Sequence, residues 1–178
     1  MLPILFALGI LAILFVVVIA GQPDEFIVTR ANRIVTSPEK IFPHVNNLHA
    51  WDAWSPWAKL DPDAKNSFTG PPSGVGAMMA WVGNNKVGEG SMTITESRPS
   101  EMIAFKLEFL KPFKASNTAE FTFKTVGNQT EVTWSMSGKS NFAFKVFGLF
   151  MNCDNMAGRD FEKGLAALKT ITETAAKQ

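Results

Sequence analysis

Residues 1–20, MLPILFALGILAILFVVVIA, contain no Asp, Glu, Lys, Arg, His, Asn or Gln. At the helical rise such a run spans about 30 Å, the hydrocarbon thickness of a bilayer, and it is apolar on every face. That combination predicts a single transmembrane anchor. A cleaved secretory signal would need a basic n-region, a shorter apolar stretch and small residues before the cut. Met1-Leu2-Pro3 has no basic side chain, and Val18-Ile19-Ala20 matches a small-x-small site poorly. The flanking charges, Asp24 and Glu25 followed by Arg30 and Arg33, leave the side of the membrane open, with a lean towards an exported domain.

After the anchor comes a link at residues 21–25, Gly21-Gln22-Pro23-Asp24-Glu25, too short to let the remainder of the chain roam. Residues 26–178 are then a common size for one domain with one core. Seventeen basic against sixteen acidic residues give a formal charge of +1, which supplies no field for nucleic acid. One cysteine, Cys153, excludes an intramolecular disulfide and so says nothing about redox compartment.

Phe26 to Val35 mixes β-branched and charged residues and reads as a strand. Ser37-Pro38-Glu39 then opens a short helix to about Leu48, with Ser37 as N-cap. In AWDAWSPWAKL the indoles of Trp51, Trp54 and Trp57 recur every third residue while Pro56 interrupts, which predicts a broken second helix packed by those rings. Six further strands are predicted at 65–69, 75–82, 87–96, 102–110, 116–126 and 130–137, divided by Gly, Pro and Asn turns. Tight connections make the sheet antiparallel. Alternation puts Ile103, Phe105, Leu107 and Phe109 on one face, and likewise Phe121 with Phe123 and Val132 with Trp134 and Met136. Gly138 to Asn141 is read as the break before a helical tail in which Phe161, Leu165, Leu168 and Ile171 share a stripe.

The order of strand, two short helices, six strands and a long helix is that of the helix-grip fold, an α+β architecture in which a curved sheet of about seven strands wraps a C-terminal helix. The segments Ser37-Pro38-Glu39-Lys40-Ile41-Phe42, Trp51-Asp52-Ala53-Trp54-Ser55-Pro56-Trp57, Gly70 to Gly76, Gly88-Glu89-Gly90-Ser91-Met92 and Asp160 to Leu165 together resemble the polyketide cyclase/dehydrase-like branch of the START-like (SRPBCC) superfamily. The resemblance covers about residues 26–175. It implies a hydrophobic cavity between sheet and helix that takes a lipid, sterol, polyketide or other apolar molecule. Fold alone does not establish catalysis.

Chemistry-bearing groups are sparse. His44 and His49 stand five apart, the wrong interval for a helical metal pair, and no zinc spacing completes them. Asp61 and Asp63 lack the further oxygen ligands of a calcium loop and read as loop solvation. The glycine-rich stretches match neither phosphate nor dinucleotide fingerprints, so no cofactor or metal is expected. Cys153 has no histidine identifiable as a catalytic partner and reads as packing. Asn128-Gln129-Thr130 fits a glycosylation sequon, but better a hairpin turn.

The positive signal is apolar: Met92, Phe105, Leu107, Phe121, Phe123, Trp134, Met136, Phe147 and Met151 combine large area with adaptable thioethers. They are the expected cavity lining, although the same residues also suit a dry core. Glu89, Glu96 and Arg159 are candidates to orient a ligand head group. Three functions stay open: a membrane-tethered binder of a hydrophobic small molecule or lipid; a cyclase or dehydratase using an inward carboxylate; and a protein-interaction module, resembling chaperone activators of this fold, anchored by an exposed Trp54 and Trp57.

Overall fold

The computed structural model describes residues 2–140, 145–146 and 153–175, and of 2–7, 12 and 153 the backbone alone. Helix α1 spans Leu2–Ala20, 19 residues without a charge. Among the residues whose side chains are described, no helix is long and apolar enough to cross a membrane. Strand β1 (Glu25–Ile34) and helix α2 (Pro38–Asn46) follow. The tryptophan segment then forms two 3-10 turns, Leu48–Ala53 and Pro56–Lys59. Pro38 enters α2 at its start, where a missing N–H costs nothing, and Pro56 does the same for the second turn.

Strands β2 (Lys65–Thr69), β3 (Met78–Val82), β4 (Glu89–Arg98), β5 (Met102–Lys111), β6 (Ala115–Val126) and β7 (Gln129–Lys139) make one antiparallel sheet with β1, in the order β1-β7-β6-β5-β4-β3-β2. Helix α3 (Cys153–Ala175) crosses the concave face. Its stripe of Phe161, Leu165 and Leu168 is buried, as the helical spacing requires. Arg159 and Glu162 lie on its exposed side, Lys163 pairs with Asp160 at 3.0 Å, and Lys169 with Glu173 at 2.8 Å.

Two strand boundaries differ from the sequence reading, each for a local reason. Val75 is not in a strand, because it sits between Gly74 and Gly76 at φ of +78° and +88° and belongs to a turn. Strand β7 does not end before Gly138; it runs to Lys139 and pairs with Glu25. At Gly138 a Cβ would collide with the Asn117 side-chain oxygen, so glycine is what lets that strand continue beneath the asparagine. Within the helical tail read from the sequence, residues 145–146 are helical and the C-terminal helix is described over Cys153–Ala175.

The core is aromatic. Trp51 and Trp54 are buried, as are Phe105, Phe121, Trp134 and Phe161. Trp134 stacks on Phe161 at 4.1 Å and 6°, and on Phe121 at 4.7 Å. Two indole N–H groups close the end of α2: Trp51 donates to the Val45 carbonyl and Trp54 to the His44 carbonyl, each at 3.0 Å.

Candidate functional site

The strand registers align inward-facing residues in rows across the sheet. One row runs Phe68, Met79, Met92, Leu107, Asn117, Gly138 and Phe26. The next runs Ile94, Phe105, Ala119, Met136 and Val28. The third contains Ile103, Phe121, Trp134 and Arg30. The first row lies at the end of the sheet where β1 begins, close behind the link from α1.

The nominated lining residues divide between these rows. Phe105, Phe121 and Trp134 belong to the closed aromatic cluster beneath Trp51 and Trp54, and Phe123 meets Phe42 edge to face at 5.7 Å. Met92 is buried in the first row, whereas Leu107 and Met136 are only partly buried against the core. Phe147 and Met151 lie outside the described residues, as does the side chain of Cys153.

Asn117 supplies the one polar side chain in the first row, and the sequence reading missed it. It is 8% exposed and donates only to the Met136 sulfur, at 4.0 Å. Its parity with Ala119, Phe121 and Phe123 was the available signal. A half-satisfied amide among apolar neighbours can receive a hydroxyl or carbonyl of an otherwise apolar molecule at little desolvation cost. Trp134 Nε1 is buried and has no hydrogen-bond partner among the described residues.

None of the suggested head-group residues faces inward as a lone charge. Glu89 is half-buried and bonded to Lys111 at 2.7 Å. Glu96 is exposed beside Arg98, because the irregularity between Ile94 and Glu96 turns it outward. Arg159 is exposed. The charge that does sit against α3 is Arg30, read in the sequence only as a flanking charge of the apolar run. Arg30 spans two carboxylates, Asp154 at 3.0 Å and Glu162 at 2.8 Å, and donates to the Asp154 carbonyl at 3.2 Å. It does so across Gly158, where a Cβ would occupy the guanidinium's place. Hydrogen bonding to Asp154 and Glu162 raises the Arg30 pKa, and the same contact holds the Asp154 carboxyl below its ordinary value.

The other residues singled out in the sequence have local contacts. His44 is partly buried, and desolvation lowers its pKa. His49 stacks on Phe68 at 3.8 Å. No group of three or more His, Cys, Asp or Glu among the described residues could hold a metal ion. Asp61 braces its loop rather than merely solvating it, accepting from the Asn84 amide at 2.6 Å. Gly127 turns the β6–β7 hairpin at φ +63°, and Thr130 of the sequon is buried, donating to the Thr36 carbonyl at 2.7 Å. Trp54 is 1% exposed, which overturns its reading as an exposed docking residue. A concavity of about 330 Å³ opens between the first 3-10 turn and the β2–β3 connection, at the Phe68 end of the first row. Leu48, His49, Phe68, Pro71 and Met78 line it; it shares Phe68 with the first row and no residue with the lining nominated from the sequence.

Comparison with known structures shows the same fold. A protein from Chromobacterium violaceum, CV1439, aligns with 85% of this chain and 99% of its own at 13% identity and a TM-score of 0.58. Ara h 8.0201 aligns with 84% of this chain and 99% of its own, at 10% identity and 0.59. The Aha1 dimer from Colwellia psychrerythraea aligns with 81% and 96%, at 18% identity and 0.55. No protein of curated function matches the sequence. The model of the family described as polyketide cyclase/dehydrase and lipid transport matches residues 25–173, and the chain belongs to that family.

Proposed function

We propose that this protein is a membrane-tethered binder of a hydrophobic small molecule or lipid, held between the concave sheet face and the C-terminal helix. The observation that carries the reading is the row Phe26, Met92, Leu107, Asn117 and Gly138. It is apolar, less closed than the aromatic cluster, and holds one under-bonded amide. Leu107, Met92 and Met136 form the proposed lining nearest that amide. Phe105, Phe121, Phe123 and Trp134 form its floor. Apolar walls with a single orienting polar group are what a sterol-like or acyl ligand requires.

The tether belongs to the same proposal. Nineteen uncharged residues in α1 would extend about 28 Å along the helix axis. The proposal carries the domain on the exported side, from the lean of the flanking charges. Acid/base catalysis is less well supported, because the buried polar residues among those described are Thr36, Ser55, Asn117, Thr130, Lys145 and Thr172, none a carboxylate.

Membranes carrying the full chain, washed with alkaline carbonate and solubilised in mild detergent, test both parts. Retention in the washed pellet, protease sensitivity only from the outer side, and an apolar molecule in the organic extract are expected. Release by carbonate would remove the tether; an extract no different from that of a mock purification would remove the ligand.

A further inference from the structure

The register also determines which end of the domain adjoins the link from α1. Glu25 opens β1 opposite Lys139, and Phe26 and Asn117 both pair with Gly138. Ala115 pairs with Phe109, so the β5–β6 tip, residues 111–114, projects from this same end. Glu89 pairs with both Val82 and Lys111, which brings the β3–β4 turn beside it. The turns at Ser100 and Gly127 lie at the opposite end.

The link cannot reverse this orientation. Ala20 and Glu25 are five residues apart, at most about 18 Å of extended chain. Much of that reach is withdrawn. The Gly21 and Gln22 amides continue the helical bonding to Val17 and Ile19, and the Ser140 amide donates to the Asp24 carbonyl at 2.7 Å. Lys145, 9% exposed, donates to the Gln22 carbonyl at 2.9 Å and to Asp24 at 2.6 Å. Ile19 at the end of α1 is itself fully buried.

The surface at this end has an interfacial composition. Leu110 is 51% exposed, Phe113 64% and Val82 53%, with Lys111 and Lys114 flanking the phenyl ring. Asp24 and Glu89 are matched by Lys145 and Lys111, and Asp61 is bonded to the Asn84 amide. Lys65, Lys86, Lys114 and Lys139 then stand against Glu25 and Asp63. At the far end the charges close on each other, Arg98 with Glu96 and Glu101, and Arg33 with Glu131.

We infer that the β5–β6 hairpin is a second membrane contact, seating Phe113 and Leu110 at the interface of an anionic bilayer with Lys114 against the head groups. The inference rests on the tether proposed above. Aromatic and aliphatic side chains flanked by lysine gain both apolar burial and attraction to anionic lipid there. The contact places the row of Phe26, Leu107 and Asn117 next to lipid.

Hydrogen exchange of the full chain in nanodiscs tests it, comparing phosphatidylcholine alone with phosphatidylcholine plus phosphatidylserine. The Lys111, Phe113 and Lys114 amides should exchange at least about threefold more slowly in the anionic discs, while those of Arg98, Ser100, Glu101, Gly127 and Asn128 stay unchanged. The difference should vanish in a Phe113→Ser/Lys114→Ser chain whose other exchange is native. Equal hairpin rates in both discs would overturn the inference and leave the tether standing. Failure of the chain to elute with the discs would overturn both.

Discussion

Phe161 of α3 lies flat on Trp134 of β7, with ring centroids 4.1 Å apart and planes 6° from parallel. Both are almost wholly buried, so this stack is where the helix is gripped. Phe161→Ala should cost about 3–5 kcal/mol through lost burial and an unfilled space. Urea unfolding of the variant is expected to show a lowered midpoint with an unchanged slope.

Gly138 and Asn117 form a dependent pair, since a Cβ at 138 meets the asparagine oxygen. Gly138→Ala should destabilise by about 1–3 kcal/mol, the range for overpacking. Adding Asn117→Ala should recover part of that loss, a coupling that a double-mutant cycle measures.

Arg30 joins the first turns of α3 to β1 through Asp154 and Glu162. Arg30→Met should accelerate amide exchange over residues 154–160 more than over 165–172. The Asp154 carboxyl is held low by Arg30. Its contribution is therefore complete above the ordinary carboxylate pKa and is lost as pH falls through the lowered value. Asp154→Asn should flatten the acid limb of the stability curve relative to the native chain.

Burial lowers the His44 pKa. The unfolded chain then binds the proton more readily than the folded one, so stability is greatest above the unfolded value of about 6.5 and declines as pH falls below it. Unfolding midpoints at pH 7.5 and about 5.5 should differ less in His44→Gln than in the native chain.

Much of this architecture is visible in the residues. Period-two alternation in β5, β6 and β7 placed Phe105, Phe121 and Trp134 on the inner face, and the 3.6-residue stripe of Phe161, Leu165 and Leu168 placed the helix against it. What escaped depends on contacts far apart in sequence. The continuation of β7 past Gly138 needs Asn117 across the strand pair, and Arg30 finds its carboxylates more than a hundred residues away. Glu96 had inward parity until an irregularity in β4 turned it out. Trp54 looked available for docking because local spacing cannot show that Phe121 and Trp134 cover it.

The central claim is a ligand inside the grip, at the row containing Leu107. Native mass spectrometry of the full chain released from mild detergent tests it against the depression at the β2 edge, lined by Thr69. The native chain and Thr69→Arg are predicted to carry the same apolar molecule at one per chain, and folded Leu107→Arg to have lost it. A native chain with no bound molecule, or loss in Thr69→Arg with retention in Leu107→Arg, would contradict the account.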